Sequence, residues 1–252
     1  MDLASFVSLT GIGLIGGFMA GFLGISGGVI MIPLLLYVAA LPIKLATGLS
    51  MAQAFAATVS GVLFHLGSRT VDVRLGLVLG AAGLAGALIG SLVSAAIDGR
   101  TLLSLYFLLV VAALVLMVLG PRRDAKAIGV SASLSRAVPV GLGVGVLAGM
   151  LGVGGGFVLI PLMIRVLRVP IKTAVGTSLL AILAVTLAGG AGKIVTGQFD
   201  LPMALCLVLG SVVGAQLGGR VNAMVSSGAI RRSLILLLMT IMSRTAVDLL
   251  GI

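Results

Sequence analysis

Apolar residues run in long blocks, and charged residues, prolines and turn formers collect in the short stretches between them. Read this way, the chain divides into eight units: residues 5–40, 45–66, 73–97, 102–119, 138–168, 173–192, 201–223 and 233–251. A helix needs roughly 20 apolar residues to cross the hydrocarbon core of a bilayer, and six units have about that length. Units 5–40 and 138–168 do not fit. Each is long for one crossing, short for two, and interrupted in its middle by glycines, where helix propensity collapses.

These two units resemble each other. Gly21-Phe-Leu-Gly-Ile-Ser-Gly-Gly-Val-Ile-Met-Ile-Pro33 returns 128 positions later as Gly149-Met-Leu-Gly-Val-Gly-Gly-Gly-Phe-Val-Leu-Ile-Pro161. Leu41-Pro-Ile-Lys-Leu-Ala-Thr-Gly-Leu-Ser50 returns at the same offset as Val169-Pro-Ile-Lys-Thr-Ala-Val-Gly-Thr-Ser178. Residues 21–50 and 149–178 share 15 of 30 positions without a gap. The chain therefore reads as two repeats, 1–120 and 137–252, joined by a basic linker at 121–136.

The distribution of positive charge selects a topology, because Lys and Arg concentrate in cytoplasmic loops. If each broken unit crosses once, the 16 basic residues divide 8 and 8 between the two sides. If each enters and returns, Lys44, Arg100, Lys193 and Arg244 lie on one side and the other 12 on the opposite side. The second arrangement is biased as an oriented protein should be. It leaves each half with an odd number of crossings, so the halves are inverted, with both termini on the outer side. The fold class expected is an all-α polytopic membrane protein of two inverted-topology repeats, each a broken or re-entrant helical unit plus three transmembrane helices.

Composition agrees: 60% hydrophobic, 9% charged, mean hydropathy +1.34, all outside the range of a soluble domain. A net charge of +10 would suggest nucleic acid in a soluble protein; here it belongs to loops, and no nucleic-acid partner is expected. There is no Glu, and the six acids are Asp2, Asp72, Asp98, Asp124, Asp200 and Asp248. Placed near span ends, they argue against a mid-membrane carboxylate site for cations. Cys206 is the only cysteine, so no intramolecular disulfide forms. The N-terminus lacks the basic region of a signal peptide. No phosphate-binding loop motif occurs, and no cofactor or metal is expected.

Non-helical backbone at membrane depth survives only where protein buries it or it lines a cavity. The clusters Gly24, Ile25, Ser26, Gly27, Gly28 and Gly152, Val153, Gly154, Gly155, Gly156 are therefore expected at the centre. Each is followed by a helix whose first N–H groups, from Val29 and Phe157 onward, are free for an anion. Pro33 and Pro161 are expected to end or kink those helices. Ser50, Gln53, Thr177 and Ser178 are candidates to complete the binding site, with bonding back to their own helix carbonyls the competing role for the hydroxyls. Gly86-x-x-x-Gly90 and Gly214-x-x-x-Gly218 read as helix-packing motifs. Lys44 and Lys172 read as interfacial, Asp72 and Asp200 as helix N-caps, and Arg244 with Asp248 as an i, i+4 pair. His65 and its repeat-mate Lys193 fall at span ends and read as loop residues. Gly24-Ile25-Ser26-Gly27 also matches the Gly-x-Ser-Gly of intramembrane serine proteases, for which His65 is the one histidine available, and a channel is a further alternative.

The paired Gly-x-x-Gly-x-Gly/Ser-Gly-Gly-x-x-x-x-Pro segments, each followed by Pro-Ile-Lys-x-Ala-x-Gly-x-Ser, resemble the TauE/SafE family of membrane proteins, from about Gly11 to Leu250. The resemblance implies secondary transport of sulfite, sulfoacetate or other organosulfur anions, often outward. It also implies the bacterial inner membrane, with a small anion and the bilayer as partners and a homo-oligomer possible in principle. Ser26 departs from the pattern, standing where the second copy keeps Gly154.

Overall fold

The computed structural model describes residues 3–67, 70–119 and 134–250, and ten α-helices make up nearly all of them. In the first half these are α1 (Leu3–Leu23), α2 (Gly28–Pro33), α3 (Ile43–Gly67), α4 (Val73–Ala96) and α5 (Gly99–Leu119). In the second they are α6 (Leu134–Leu151), α7 (Gly156–Arg165), α8 (Ile171–Val195), α9 (Leu201–Met224) and α10 (Ser227–Leu250). Helices α1, α3, α4, α5, α8 and α9 are long and apolar enough to cross a membrane. The chain is an integral membrane protein.

Local chemistry sets the ends. Asp72 Oδ1 accepts the N–H of Leu75 at 3.0 Å, and Asp200 Oδ1 that of Met203 at 2.9 Å, so both act as the N-caps expected. Asp98 does the same for α5, accepting from Thr101 N and Oγ1. The Thr101 hydroxyl, then its N–H, hold the Asp98 carboxyl below the usual carboxylate range. Lys44 reaches Ala95 O at 3.0 Å, placing a cation at the carbonyl end of α4.

Several boundaries move. Helix α6 starts at Leu134, so the last residues of the expected linker are helical, while 121–133 lies outside the described residues. Helix α10 starts at Ser227 and takes in Arg231 and Arg232, because the Arg231 guanidinium finds Met117 O at 2.8 Å. Pro161 does not end α7, which runs on to Arg165. Pro33 closes α2, and the chain continues as a π-helical turn over Leu34–Val38. Arg244 stacks over Tyr37, 5.1 Å from the ring centroid, and the side chain of Asp248 lies outside the described residues.

Close approaches give the helix directions. Gly13, Gly17 and Gly21 of α1 face Leu207, Ser211 and Ala215 of α9 in turn, so α1 and α9 run parallel. At the 128-residue offset the same contacts recur: Gly141, Gly145 and Gly149 of α6 face Leu79, Gly83 and Ala87 of α4. The two expected packing motifs complete these crossings, Gly214 and Gly218 against α1, Gly86 and Gly90 against α6. Each broken unit thus packs on the third full-length helix of the other half. Helices α3 and α8 cross antiparallel, with Gly61 on Leu179 and Gly189 on Met51. After the break, α2 turns back along α1: Met31 lies on Gly16, and Val38 and Ala39 share a cleft with Ser5, Ser8 and Leu9. The break therefore joins a full-length helix to a short returning one, rather than two equal halves.

These crossings predict opposite responses among helical glycines. A Cβ on Gly17 would stand 2.5 Å from Ser211 Cα, and one on Gly145 2.7 Å from Gly83 Cα, both backbone atoms that cannot turn aside. Nothing lies within 4 Å of such an atom on Gly11 or Gly143. Alanine at Gly11 or Gly143 is expected to raise stability by up to about 1 kcal/mol, the helix-propensity gain. Alanine at Gly17 or Gly145 is expected to lower it by about 1–3 kcal/mol through overpacking. Thermal unfolding in detergent measures both.

Candidate functional site

The two glycine clusters meet. Helix α1 closes with Gly24 N bonded to Ala20 O at 2.8 Å, and α6 closes identically with Gly152 N on Ala148 O at 2.8 Å. The chain then reverses through left-handed residues: Gly24, Ser26 and Gly27 at φ 72, 63 and 74°, and Gly152, Gly154 and Gly155 at φ 73, 68 and 83°. Gly27 and Gly155 are the N-cap residues of α2 and α7, their carbonyls accepting from Ile30 and Met31, and from Val158 and Leu159.

Gly28 lies against the backbone of Val153, and Gly156 against Gly24 O and Ile25 Cα. Gly24 packs on Val175 of α8 as Gly152 packs on Thr47 of α3. The Ser26 hydroxyl reaches Val153 O at 2.9 Å, beside Gly154, and also neighbours Ile25 O. Ile25, Ser26, Val29, Val153 and Phe157 are wholly buried. Tyr106 of α5 anchors this layer, its hydroxyl donating to Val29 O at 2.5 Å.

The expected site residues thus converge, with one difference from the arrangement read from sequence. The clusters touch backbone to backbone, so the space between them is filled by Ser26 and the glycines themselves. Beside the clusters, α3 brings Gln53 against the break.

Helix α3 carries three of the four buried polar side-chain atoms left without a partner among the described residues, the fourth being Thr10 Oγ1 of α1. Ser50 and Gln53 are wholly buried, and neither the Ser50 hydroxyl nor either end of the Gln53 amide has a hydrogen-bond partner. Three apart on a helix, they are neighbours on one face. The Gln53 Nε2 sits at the break, 3.1 Å from where a Cβ on Gly27 or Gly16 would stand. Leaving a buried amide unpaired costs roughly 1–3 kcal/mol, and native proteins keep such groups rarely. Their repeat-mates are spent otherwise: Ser178 donates to Gly24 O at 2.9 Å, and position 181, matching Gln53, is alanine.

Thr177 does not join them. Its hydroxyl accepts the N–H of Asp72 at 2.9 Å and secures the start of α4. His65 and Lys193 correct the reading as loop residues: both lie inside helices, and both are buried. His65 bonds Thr70 Oγ1 and Gly21 O; Ser26, the other half of the protease reading, bonds backbone carbonyls instead. The Lys193 ammonium is held by Thr47, Ser94, Met150 and Gln198. Both stand in the last turn of their helices, at the span ends expected, and their side chains turn inward instead of into a loop.

A family model described as sulfite exporter TauE/SafE matches residues 9–245. A protein of Bacillus subtilis named "Probable membrane transporter protein YdhB" is 30% identical over 209 residues, covering 81% of this chain and 85% of that one. A second from the same organism, "Probable membrane transporter protein YunE", is 27% identical over 86% of this chain and 89% of its own length. A "Probable membrane transporter protein" of Xylella fastidiosa is 30% identical over 86% of this chain and 85% of its own. No solved structure matches the chain.

Proposed function

From the premise that the chain belongs to the TauE/SafE family of membrane transporters, we propose that it is a secondary transporter exporting a small anion, sulfite or a small organosulfonate. The observation that carries this reading is the pair of unpartnered buried groups, Ser50 and Gln53, at a glycine break that allows a solute to approach backbone. Backbone N–H groups of Ile25–Val29 and Val153–Phe157 bind the anionic head as the touching clusters part, those of Gly24 and Gly152 being held by Ala20 O and Ala148 O. Ser50 and Gln53 complete its hydrogen bonding, and Ser178 joins once freed from Gly24 O.

The exchanged contacts of the two halves and the antiparallel crossing of α3 with α8 support inverted repeats, 1–120 and 137–252. Access alternates as two repeat-related bundles, each drawn from both halves, rock about the central clusters. The basic linker at 121–136 lies in the cytoplasm, and the termini face outward across the bacterial inner membrane.

Flux into proteoliposomes tests this with sulfite, sulfoacetate, sulfate and chloride, under imposed pH and voltage gradients. Saturable flux of sulfite or the sulfonate, with counterflow, is expected. Folded protein that moves none of these anions overturns the reading, and flux without saturation or counterflow makes the protein a channel.

A further inference from the structure

Lys193 is a basic side chain buried in the protein with no acid against it among the described residues. Its ammonium lies 2.7 Å from Ser94 Oγ, 2.9 Å from Gln198 Oε1, 3.0 Å from Thr47 Oγ1 and 3.2 Å from Met150 O, all neutral oxygens, and its exposure is zero. The described carboxylates are engaged at helix starts: Asp72 with Leu75, Asp98 with Thr101, Asp200 with Met203. A charge in a membrane span is costly, and such residues mark the paths of ions and substrates.

The repeat supplies an internal control. At the 128-residue offset Lys193 corresponds to His65, Gln198 to Thr70, Ser94 to Asn222 and Met150 to Phe22. Both constellations do the same structural work on the last carbonyls of a broken helix. In the first half, Asn222 Nδ2 donates to Phe22 O at 2.7 Å, and His65 bonds Gly21 O and Thr70 Oγ1. In the second, Lys193 donates to Met150 O and Gln198 Oε1. A carboxamide suffices for the task on one side, so capping α6 does not call for an ammonium. The charge has another use.

Thr47, one of its partners, begins a line of α3 residues three apart, Thr47, Ser50 and Gln53, all buried. Six residues of helix separate Lys193's contact from the unpartnered amide by about 9 Å along the axis. Resting on the anion reading above, we propose that Lys193, with Thr47, Ser94 and Gln198, forms a second anion subsite in line with Ser50 and Gln53. Its ammonium makes the path select anions. The substrate takes the place of Gln198 Oε1, the one side-chain partner contributed by the α8–α9 connection, and Gln198 closes over the ammonium again when the anion leaves.

Two variants test this in proteoliposomes, with sulfite and sulfoacetate as probes. Lys193→Gln keeps hydrogen-bonding capacity and removes the charge; KM for the anion is expected to rise at least tenfold, with the unfolding midpoint unchanged or higher. Gln198→Glu is nearly isosteric and sets a carboxylate beside the ammonium, a built-in competitor; it is expected to stabilise the fold and to cut anion flux at least tenfold. A merely structural lysine differs in activity alone: Gln198→Glu is again more stable, but its anion flux is unchanged. If Lys193→Gln does not fold, Gln198→Glu decides alone. Wild-type protein that carries neither probe overturns the anion reading and this inference together; active wild type with indifferent variants overturns this inference only.

Discussion

Leucine in place of Gln53 is expected to make the protein more stable and to cut anion flux about ten- to a hundredfold at sub-saturating anion. The two effects have one cause. The Gln53 amide is wholly buried with both ends unpaired, so the resting protein bears a desolvation cost of roughly 1–3 kcal/mol with nothing in return. Leucine has similar volume and nothing to satisfy, and part of that cost is recovered on substitution. With an anion present the balance reverses, because a hydrogen bond to a charged group contributes about 1.5–3 kcal/mol, and each 1.4 kcal/mol is about a factor of ten in affinity. Ordinary core polar residues behave otherwise: replacing one partner of a satisfied pair lowers stability. Unfolding midpoints and sulfite flux measured on the same purified variant separate the cases. A destabilised Gln53→Leu with normal flux would mean that the amide has a structural partner.

Valine in place of Gly27 is expected to remove function by removing the fold. Gly27 adopts φ 74°, which costs a residue with a side chain about 1–2 kcal/mol and a β-branched one more. Its Cβ would also stand against Gly16 O and 2.7 Å from Gly16 C, on the backbone of α1, which no rotamer relieves. A loss above about 4 kcal/mol follows, and most membrane domains have little beyond that to lose. Gly155 at φ 83° gives a graded comparison. A Cβ there meets Val144 Cγ1 at 2.8 Å, which can rotate aside, and Ala148 Cβ at 3.0 Å, which asks only a few tenths of an ångström of its helix. Gly155→Val should therefore keep more folded protein than Gly27→Val. Size-exclusion profiles in detergent report the folded fraction, and equal yields of both variants would sink the geometric argument.

Much of this architecture was legible in local chemistry. Asp72 and Asp200 stand immediately before apolar helices and cap them, and the small-x-x-x-small spacings pack helices as such spacings do. The glycine clusters break their helices where propensity says a helix must break. What escaped was set by contacts between the halves. That the clusters lie on each other depends on pairing about 128 residues apart, which no local pattern encodes. Thr177 looked like a ligand because hydroxyls in apolar spans are rare, but the Asp72 N–H had the prior claim on it. Lys193 stands in the last turn of α8, where charge marks a span end, but its ammonium turns inward to Thr47, Ser94, Met150 and Gln198, partners that no local pattern encodes. The repeat pairs Lys193 with His65, and the further polar pair five residues on, Gln198 with Thr70, is the signal in the sequence that marks the constellation.

The crossing of α1 with α9 and of α6 with α4 has a consequence for biosynthesis. Synthesis runs from the N-terminus, so α1 enters the membrane nearly 200 residues before its main partner exists. Helix α4 waits less, for α6. The backbone contacts at Gly17 and Gly21 cannot form until α9 leaves the ribosome. Residues 1–120 made alone would leave the glycine faces of α1 and α4 unmatched, and would be cleared by proteolysis. The same piece made alongside 134–252 would find both partners and persist, so assembly is a property of the completed pair of halves.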